Sequence, residues 1–153
     1  MFMRNITLFL FWWSLFFSIS TSSADNEINL DIDENGEYDA LSDGLLIIRY
    51  LFGLTGDDLV SGILGSNSLV VEPIEIKSKL DSMRANLDVD GNGSVDALTD
   101  GLLILRYLFG LRGDSLVTQV IGTGAARNSS ESIEDYVKSL SLIHISEPTR
   151  PFH

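Results

Sequence analysis

The chain has 153 residues, no cysteine and a formal net charge of −12. The lack of cysteine excludes disulfide bonds and thiolate chemistry, and the excess of acidic residues disfavours nucleic acid as a partner. Both histidines, His144 and His153, lie near the end of the chain, so no histidine-based triad can be placed in the body of the protein. We therefore expect a binding protein and not an enzyme.

Residues 1–24 have the pattern of a secretory signal peptide. Arg4 precedes an apolar run at 6–19, and residues 21–24 are the small residues that a signal peptidase recognises. An uncleaved membrane anchor is the alternative, but the apolar run is short for a bilayer span. We expect cleavage after Ala24 and a secreted, extracellular protein that keeps no membrane segment.

The body of the chain contains an internal repeat. Residues 30–60 and 87–117 align at an offset of 57 residues, with 23 of the 31 positions identical. This identity is far above chance. We therefore divide the body into a first repeat, 25–86, and a second repeat, 87–139.

Each repeat opens with a loop that carries oxygen side chains on alternate residues and a glycine at the sixth place. In this pattern, typical of an EF-hand calcium loop, the chain curls its oxygens around one hard cation, and the seventh residue contributes its backbone carbonyl. The sequence thus predicts two Ca²⁺ sites. Their candidate ligands are Asp31, Asp33, Asn35, Glu37 and Asp39 in the first loop and Asp88, Asp90, Asn92, Ser94 and Asp96 in the second.

The end of each loop departs from the EF-hand pattern. The twelfth place, where a bidentate glutamate normally closes the loop, holds Ser42 or Thr99, and an aspartate follows as Asp43 or Asp100. One interpretation makes these aspartates the closing ligands of a loop that is one residue longer. The other makes them acids of the first helical turn, next to Ser42 and Thr99 as N-caps. Both interpretations can hold at once.

The segments after each loop are predicted to be helical. An apolar helix ends at a glycine followed by leucine, and a short helix, a linker and a third helix follow. The predicted helices cover 44–52, 56–64 and 73–85 in the first repeat and 101–109, 113–121 and 133–139 in the second. The predicted fold is mostly α, with two calcium-loop and helix repeats of about 57 residues joined by short connecting helices.

The motif D-x-[DN]-x-N-G-x-x-D, a spacer, Asp and L-L-x-x-R-Y-L-F-G, present twice in an exported chain, resembles the duplicated calcium repeat of bacterial dockerin domains. The resemblance implies Ca²⁺ binding and docking onto a cohesin-like secreted or surface protein, as part of a larger polysaccharide-degrading or surface protein. Arg49, Tyr50, Arg106 and Tyr107 are the candidate partner-binding residues. Alternatively, each arginine lays its stem over apolar neighbours, and the chain is a calcium-stiffened spacer repeat without a dedicated partner.

The last stretch, 140–153, breaks the repeat pattern. Its sequence LSLIHISEPTR resembles an in-frame translation of a sequencing-library adapter. We expect this stretch to be an artefactual tail, with a genuine flexible tail as the alternative.

Overall fold

The computed structural model describes residues 28–141, so the predicted signal peptide and residues 142–153 of the predicted tail lie outside the described range. Within that range the chain is mostly helical, with six α-helices and no strand, which confirms the predicted mostly α fold. No helix there has both the length and the apolar character needed to cross a bilayer. The helices are α1 (Leu45–Leu51), α2 (Asp57–Val60), α3 (Pro73–Met83), α4 (Leu102–Leu108), α5 (Asp114–Val117) and α6 (Ser130–Ser141), with a 3₁₀ turn at Arg84–Leu87.

A π-turn precedes α1 and another precedes α4. The first covers Ala40–Gly44 and the second Ala97–Gly101. Each is closed by a hydrogen bond across five residues, from Gly44 N to Asp39 O (3.1 Å) and from Gly101 N to Asp96 O (3.0 Å). A π-turn accommodates one more residue than an α-helical turn. The extra residue of each loop is therefore taken up at the entry to the helix.

The helices α1 and α4 end as the sequence predicts. Gly53 has a φ of 84°, and its N–H donates to Tyr50 O, while Leu54 N donates to Arg49 O. Gly110 and Leu111 repeat these bonds after α4. The positive φ stops the helix, and the two bonds satisfy carbonyls that the helix end leaves unpaired.

The short helices α2 and α5 are shorter than predicted. They end at Val60 and Val117, and not at 64 and 121. The next residue, Ser61 or Thr118, has an extended ψ near 120°. A residue with positive φ follows directly, Gly62 in the first repeat and its counterpart Gln119 in the second. The chain thus leaves the helical conformation after one turn.

The core consists largely of residue pairs that are 57 positions apart. The paired side chains are fully or almost fully buried, and they come from both loops and from all six helices. Burying both copies of each position gives one core shared by the two repeats. The pairs are Leu30 and Leu87, Ile32 and Val89, Leu46 and Leu103, Ile47 and Ile104, Leu59 and Leu116, Ile76 and Ile133, Leu80 and Val137, and Met83 and Leu140.

The two repeats meet through reciprocal contacts at the π-turns. A methyl group on Gly44 would lie 2.7 Å from Leu105 Cδ1, and one on Gly101 would lie 3.2 Å from Ile48 Cγ1. Ile48 and Leu105 are themselves 57 residues apart, so the two contacts are made by equivalent residues of the two repeats. A glycine at each π-turn lets the helix of the other repeat approach closely.

The third helices lie close to their predicted positions, at Pro73–Met83 and Ser130–Ser141. The second extends two residues into the stretch assigned to the tail. Leu140 is buried, and its carbonyl accepts a 3.3 Å hydrogen bond from Leu30 N. The last turn of α6 is therefore packed against the start of the first loop.

Candidate metal centres

Each loop brings three of its predicted acidic ligands together. Every residue of each group has one carboxylate oxygen within 4.8 Å of those of the other two. Five of the six residues are buried, and Asp88 is half-buried. We call Asp31, Asp33 and Asp43 the first triad and Asp88, Asp90 and Asp100 the second triad. Either triad can hold a metal ion.

The aspartate in each π-turn, Asp43 or Asp100, points back into its loop. Asp43 accepts hydrogen bonds from Ile32 N (2.6 Å) and Asp39 N (3.0 Å). Asp100 accepts the equivalent bonds from Val89 N (2.7 Å) and Asp96 N (2.8 Å). Both carboxylates have no exposed surface and belong to the triads, although each also stands in the first turn of its helical segment.

The N-caps lie three residues before Ser42 and Thr99. Asp39 and Asp96 hold the N-cap positions of the π-turns. The Asp39 carboxylate accepts from Leu41 N and Ser42 N at 2.9 and 2.7 Å, and Ser42 Oγ donates to its other oxygen. The alternative that made Ser42 and Thr99 the caps is therefore wrong, because the π-turn begins earlier than the predicted helix.

The first aspartate of each loop organises the turn around the glycine. Asp31 accepts from Asn35 N and Gly36 N at 3.0 and 2.9 Å, and Asp88 accepts from Asn92 N and Gly93 N at 3.1 and 3.0 Å. Gly36 and Gly93 both have a φ of 87°, a conformation that favours glycine. The same network therefore shapes both loops.

The remaining predicted ligands lie around the triads. The carbonyl oxygens of the Asn35 and Asn92 side chains accept from Glu37 N and Ser94 N, each at 2.8 Å. The side chains of Glu37 and Ser94 are exposed, which agrees with a role for the backbone carbonyl alone. Asp39 and Asp96 belong to neither triad.

Burial raises the pKa of the closing aspartates. The pKa of Asp43 rises to about 7, because desolvation outweighs the hydrogen bonds from Asp39 N and Ile32 N, and Asp33 and Asp31 add repulsion. Desolvation raises the pKa of Asp100 as well. A cation bound among carboxylates in this arrangement would stabilise them, because it would offset their mutual repulsion.

The residues that donate hydrogen bonds to the carboxylate at the third place of each loop were not predicted from the sequence. Asp33 Oδ2 accepts a 2.6 Å bond from Ser68 Oγ, and Asp90 Oδ2 accepts a 2.6 Å bond from Gly122 N. Both donors lie in the linker after a short helix, but at different distances from the loop, 35 positions for Ser68 and 32 for Gly122. The signal that could have identified this segment is that such a linker follows the short helix in both repeats. A second bond fixes the linker, from Val70 N to Asp33 O (3.0 Å) and from Arg127 N to Asp90 O (2.8 Å).

The candidate partner-binding residues of the first repeat have contacts within the fold. Arg49 Nη1 donates to the carbonyls of Asp58 and Ser61 at 3.1 and 2.9 Å, which caps the end of α2. Tyr50 is buried, and its hydroxyl donates to Asp81 Oδ1 at 2.7 Å.

The equivalent residues of the second repeat follow the same plan in part. Arg106 Nη1 donates to Thr118 O at 2.9 Å and so caps the end of α5. Tyr107 is half-buried under the Arg112 guanidinium, 3.8 Å from its ring centroid. Arg49, Arg106 and Tyr50 thus connect helices of their own repeats, whereas Tyr107 contacts Arg112 in the turn between α4 and α5.

No protein-family model matches this chain, and neither does any curated protein or solved structure. The two triads are therefore characterised by their own geometry and donor chemistry. They offer oxygen donors alone, which suit a hard cation and not a soft transition metal.

Proposed function

We propose that this chain is an exported calcium-binding module that docks, in a calcium-dependent manner, onto another secreted or surface protein. The observation that carries the proposal is the duplicated triad. Two sets of three carboxylates, five of the six buried, are held by the same pattern of backbone hydrogen bonds.

Calcium fits the donor set better than magnesium. Ca²⁺ takes six to eight oxygen ligands in flexible geometry, and each loop can add an asparagine oxygen and the backbone carbonyl of Glu37 or Ser94 to its three carboxylates. Mg²⁺ demands a strict octahedron and retains several waters. A buried triad with additional oxygens around it therefore favours the larger ion.

Calorimetric titration tests the metal sites. The parent chain should bind two Ca²⁺ ions, and Asp100→Asn should weaken binding at the second loop by tenfold or more, about 1.4 kcal/mol. Asp114→Asn is the matched control, because Asp114 lies in the same repeat but in α5, outside the loop and the triad. Equal affinity in the parent and Asp100→Asn would return Asp100 to a merely structural role at the helix start.

Four exposed apolar side chains support the docking part of the proposal. Leu41 and Leu98 are 67% and 64% exposed, and Phe52 and Phe109 are 57% and 54% exposed. Each pair is 57 residues apart, so the same apolar feature is presented twice. Leu41 and Leu98 lie within the π-turns, two residues before Asp43 and Asp100, and a bound ion would therefore order the surface that carries them.

A cohesin-like protein is the partner we propose, from the resemblance of the repeats to dockerin domains. A pull-down from secreted proteins, with and without chelator, tests the partner. Phe52→Ala combined with Phe109→Ala should abolish capture, since large apolar residues exposed in pairs are candidates for interface anchors. Leu69→Ala is the control, because Leu69 is exposed but its counterpart is Ala126. Failure to capture any calcium-dependent partner would favour a calcium-stiffened spacer.

A further inference from the structure

A basic side chain contacts the outer side of each acidic loop, although the two come from unrelated positions. Lys79 of α3 donates from Nζ to Asp31 O (2.6 Å) and pairs with Glu34 Oε1 (3.1 Å). Arg127, in the linker before α6, donates from Nη2 to Asp88 O and from Nε to Val89 O, each at 2.6 Å. Asp31 and Asp88 are the first residues of the two triads, so both cations contact the same place in the loop.

The repeat offset shows that these cations are not copies of each other. The residue 57 positions after Lys79 is Tyr136, and the residue 57 positions before Arg127 is Val70. In the second repeat Tyr136 instead stacks under Arg127, with the guanidinium carbon 3.9 Å from its ring centroid. Each repeat thus places a cation at the same point of its loop, but the two cations come from different sequence positions.

The residue at the fourth place of each loop suits the cation that contacts that loop. At the fourth place the first loop has Glu34, which pairs with Lys79, while the second loop has Gly91. A methyl group on Gly91 would lie 3.1 Å from Arg127 Nη2, so a larger residue would push the guanidinium away. The first loop therefore provides a carboxylate for Lys79, and the second loop leaves room for the Arg127 guanidinium.

We propose that Lys79 and Arg127 are positioning residues that act as built-in counter-charges to the triads. Each holds the first carbonyl of its loop and offsets the repulsion among the carboxylates when the calcium of the proposed function is absent. Bound calcium supplies positive charge to the same carboxylates, so the built-in charge stabilises the metal-free fold more than the loaded fold. By reciprocal linkage, each counter-charge then weakens calcium binding at its own loop.

Neutralising one cation at a time in the purified chain tests this inference. Lys79→Met should lower the urea midpoint of unfolding more in chelator than in saturating calcium. Titrated in an Asp100→Asn background, which isolates the first loop, it should bind Ca²⁺ about two- to tenfold more tightly at low salt. Lys79→Arg, which keeps the charge, should behave as the parent does. Arg127→Met and Arg127→Lys make the same comparison at the second loop in an Asp43→Asn background.

Lys77→Met is the matched control, because Lys77 lies on the same helix and pairs with Asp81 away from the loop. It should leave calcium affinity unchanged. If Lys79→Met is unfolded in both conditions, Lys79→Gln, which keeps a hydrogen-bond donor without the charge, gives the same comparison. Equal losses of stability with and without calcium, or unchanged or weaker calcium affinity, would contradict the proposal. Lys79 would then only donate a hydrogen bond to the Asp31 carbonyl. No calcium binding in the parent would instead reject the proposed function itself.

Discussion

The two acidic loops have nearly the same internal hydrogen bonds, but different residues cover them. Asp43 and Asp100 accept from equivalent backbone amides, and both lie within π-turns of the same length. The third carboxylate position of the loop accepts from a serine hydroxyl in the first repeat and from the backbone N–H of Gly122 in the second. Lysine is likewise replaced by arginine from another position.

This comparison separates two kinds of requirement. The loop and the π-turn must keep their residues, because the ligand positions depend on backbone geometry within a few residues. The contacts made to the loop from outside need only a hydrogen-bond donor or a positive charge at the right place. Any nearby segment can supply such a group. Variants that exploit a difference between the repeats are therefore the most informative.

The largest expected effect concerns pH in the metal-free protein. Because the folded-state pKa of Asp43 is about 7 and the usual value is about 4, the neutral form is favoured in the fold. Its contribution to stability is present below pH ~4 and is lost as the pH rises through about 7. The free energy of unfolding should fall by on the order of 2 to 3 kcal/mol between about pH 5 and about pH 8.

Urea titrations of calcium-free protein across this range measure the effect. Asp43→Asn, which cannot ionise, should flatten the profile. Asp100→Asn should flatten it less, because Asp100 also accepts a bond from Asp90 N, which favours its ionised form. A calcium-free stability that increases steadily from pH 5 to pH 8 would contradict the assigned burial of the closing aspartates.

Gly122 and Gly65 occupy equivalent linker positions with different surroundings. A methyl group on Gly122 would press on the Asn92 side-chain amide and lie 2.6 Å from Asp90 Oδ2, whereas one on Gly65 would meet nothing within 4 Å. Gly122→Ala should therefore destabilise the protein by about 1 to 3 kcal/mol and weaken calcium binding at the second loop. Gly65→Ala is the control and should leave both unchanged, as measured by thermal unfolding and calorimetry. Similar behaviour of the two variants would mean that the linker does not press on the second loop.

The caps of the two π-turns offer a smaller contrast. Asp39 accepts two backbone N–H bonds in its turn, while the Asp96 side chain makes no capping bond. Asp39→Ala should cost about 1 kcal/mol of stability, and Asp96→Ala should cost markedly less. Unfolding in saturating calcium gives the comparison, and equal losses would show that the cap contributes nothing in the first repeat.

Much of the helical fold could be predicted from the sequence because its causes are local. The oxygen spacing and Gly36 specify the loop, and an apolar run that ends in Gly53 specifies α1 and its terminus. The π-turn could not be located in this way. The extra residue is visible in the sequence, but its position depends on the Asp43 carboxylate reaching back to Ile32 N.

The roles of the basic residues could not be predicted, because they depend on tertiary contacts. Arg49 caps a helix that begins eight residues later in the chain, and Lys79 contacts a loop carbonyl 48 positions away. Neither contact leaves a periodic pattern in the sequence. The exposure of Phe52 could not be predicted either, because an apolar residue at a helix end is normally expected to pack against the core.

The most direct test of the proposed calcium sites is the stability of the protein with and without the ion. For a dissociation constant near ~10⁻⁴ M, typical of extracellular modules, ~1 mM calcium adds about 1.4 kcal/mol for each occupied site. We therefore expect urea unfolding to report about 3 kcal/mol more stability in ~1 mM calcium than in chelator, and about half that gain for Asp100→Asn. An identical unfolding free energy with calcium and with chelator would contradict the assignment of the two triads as calcium sites.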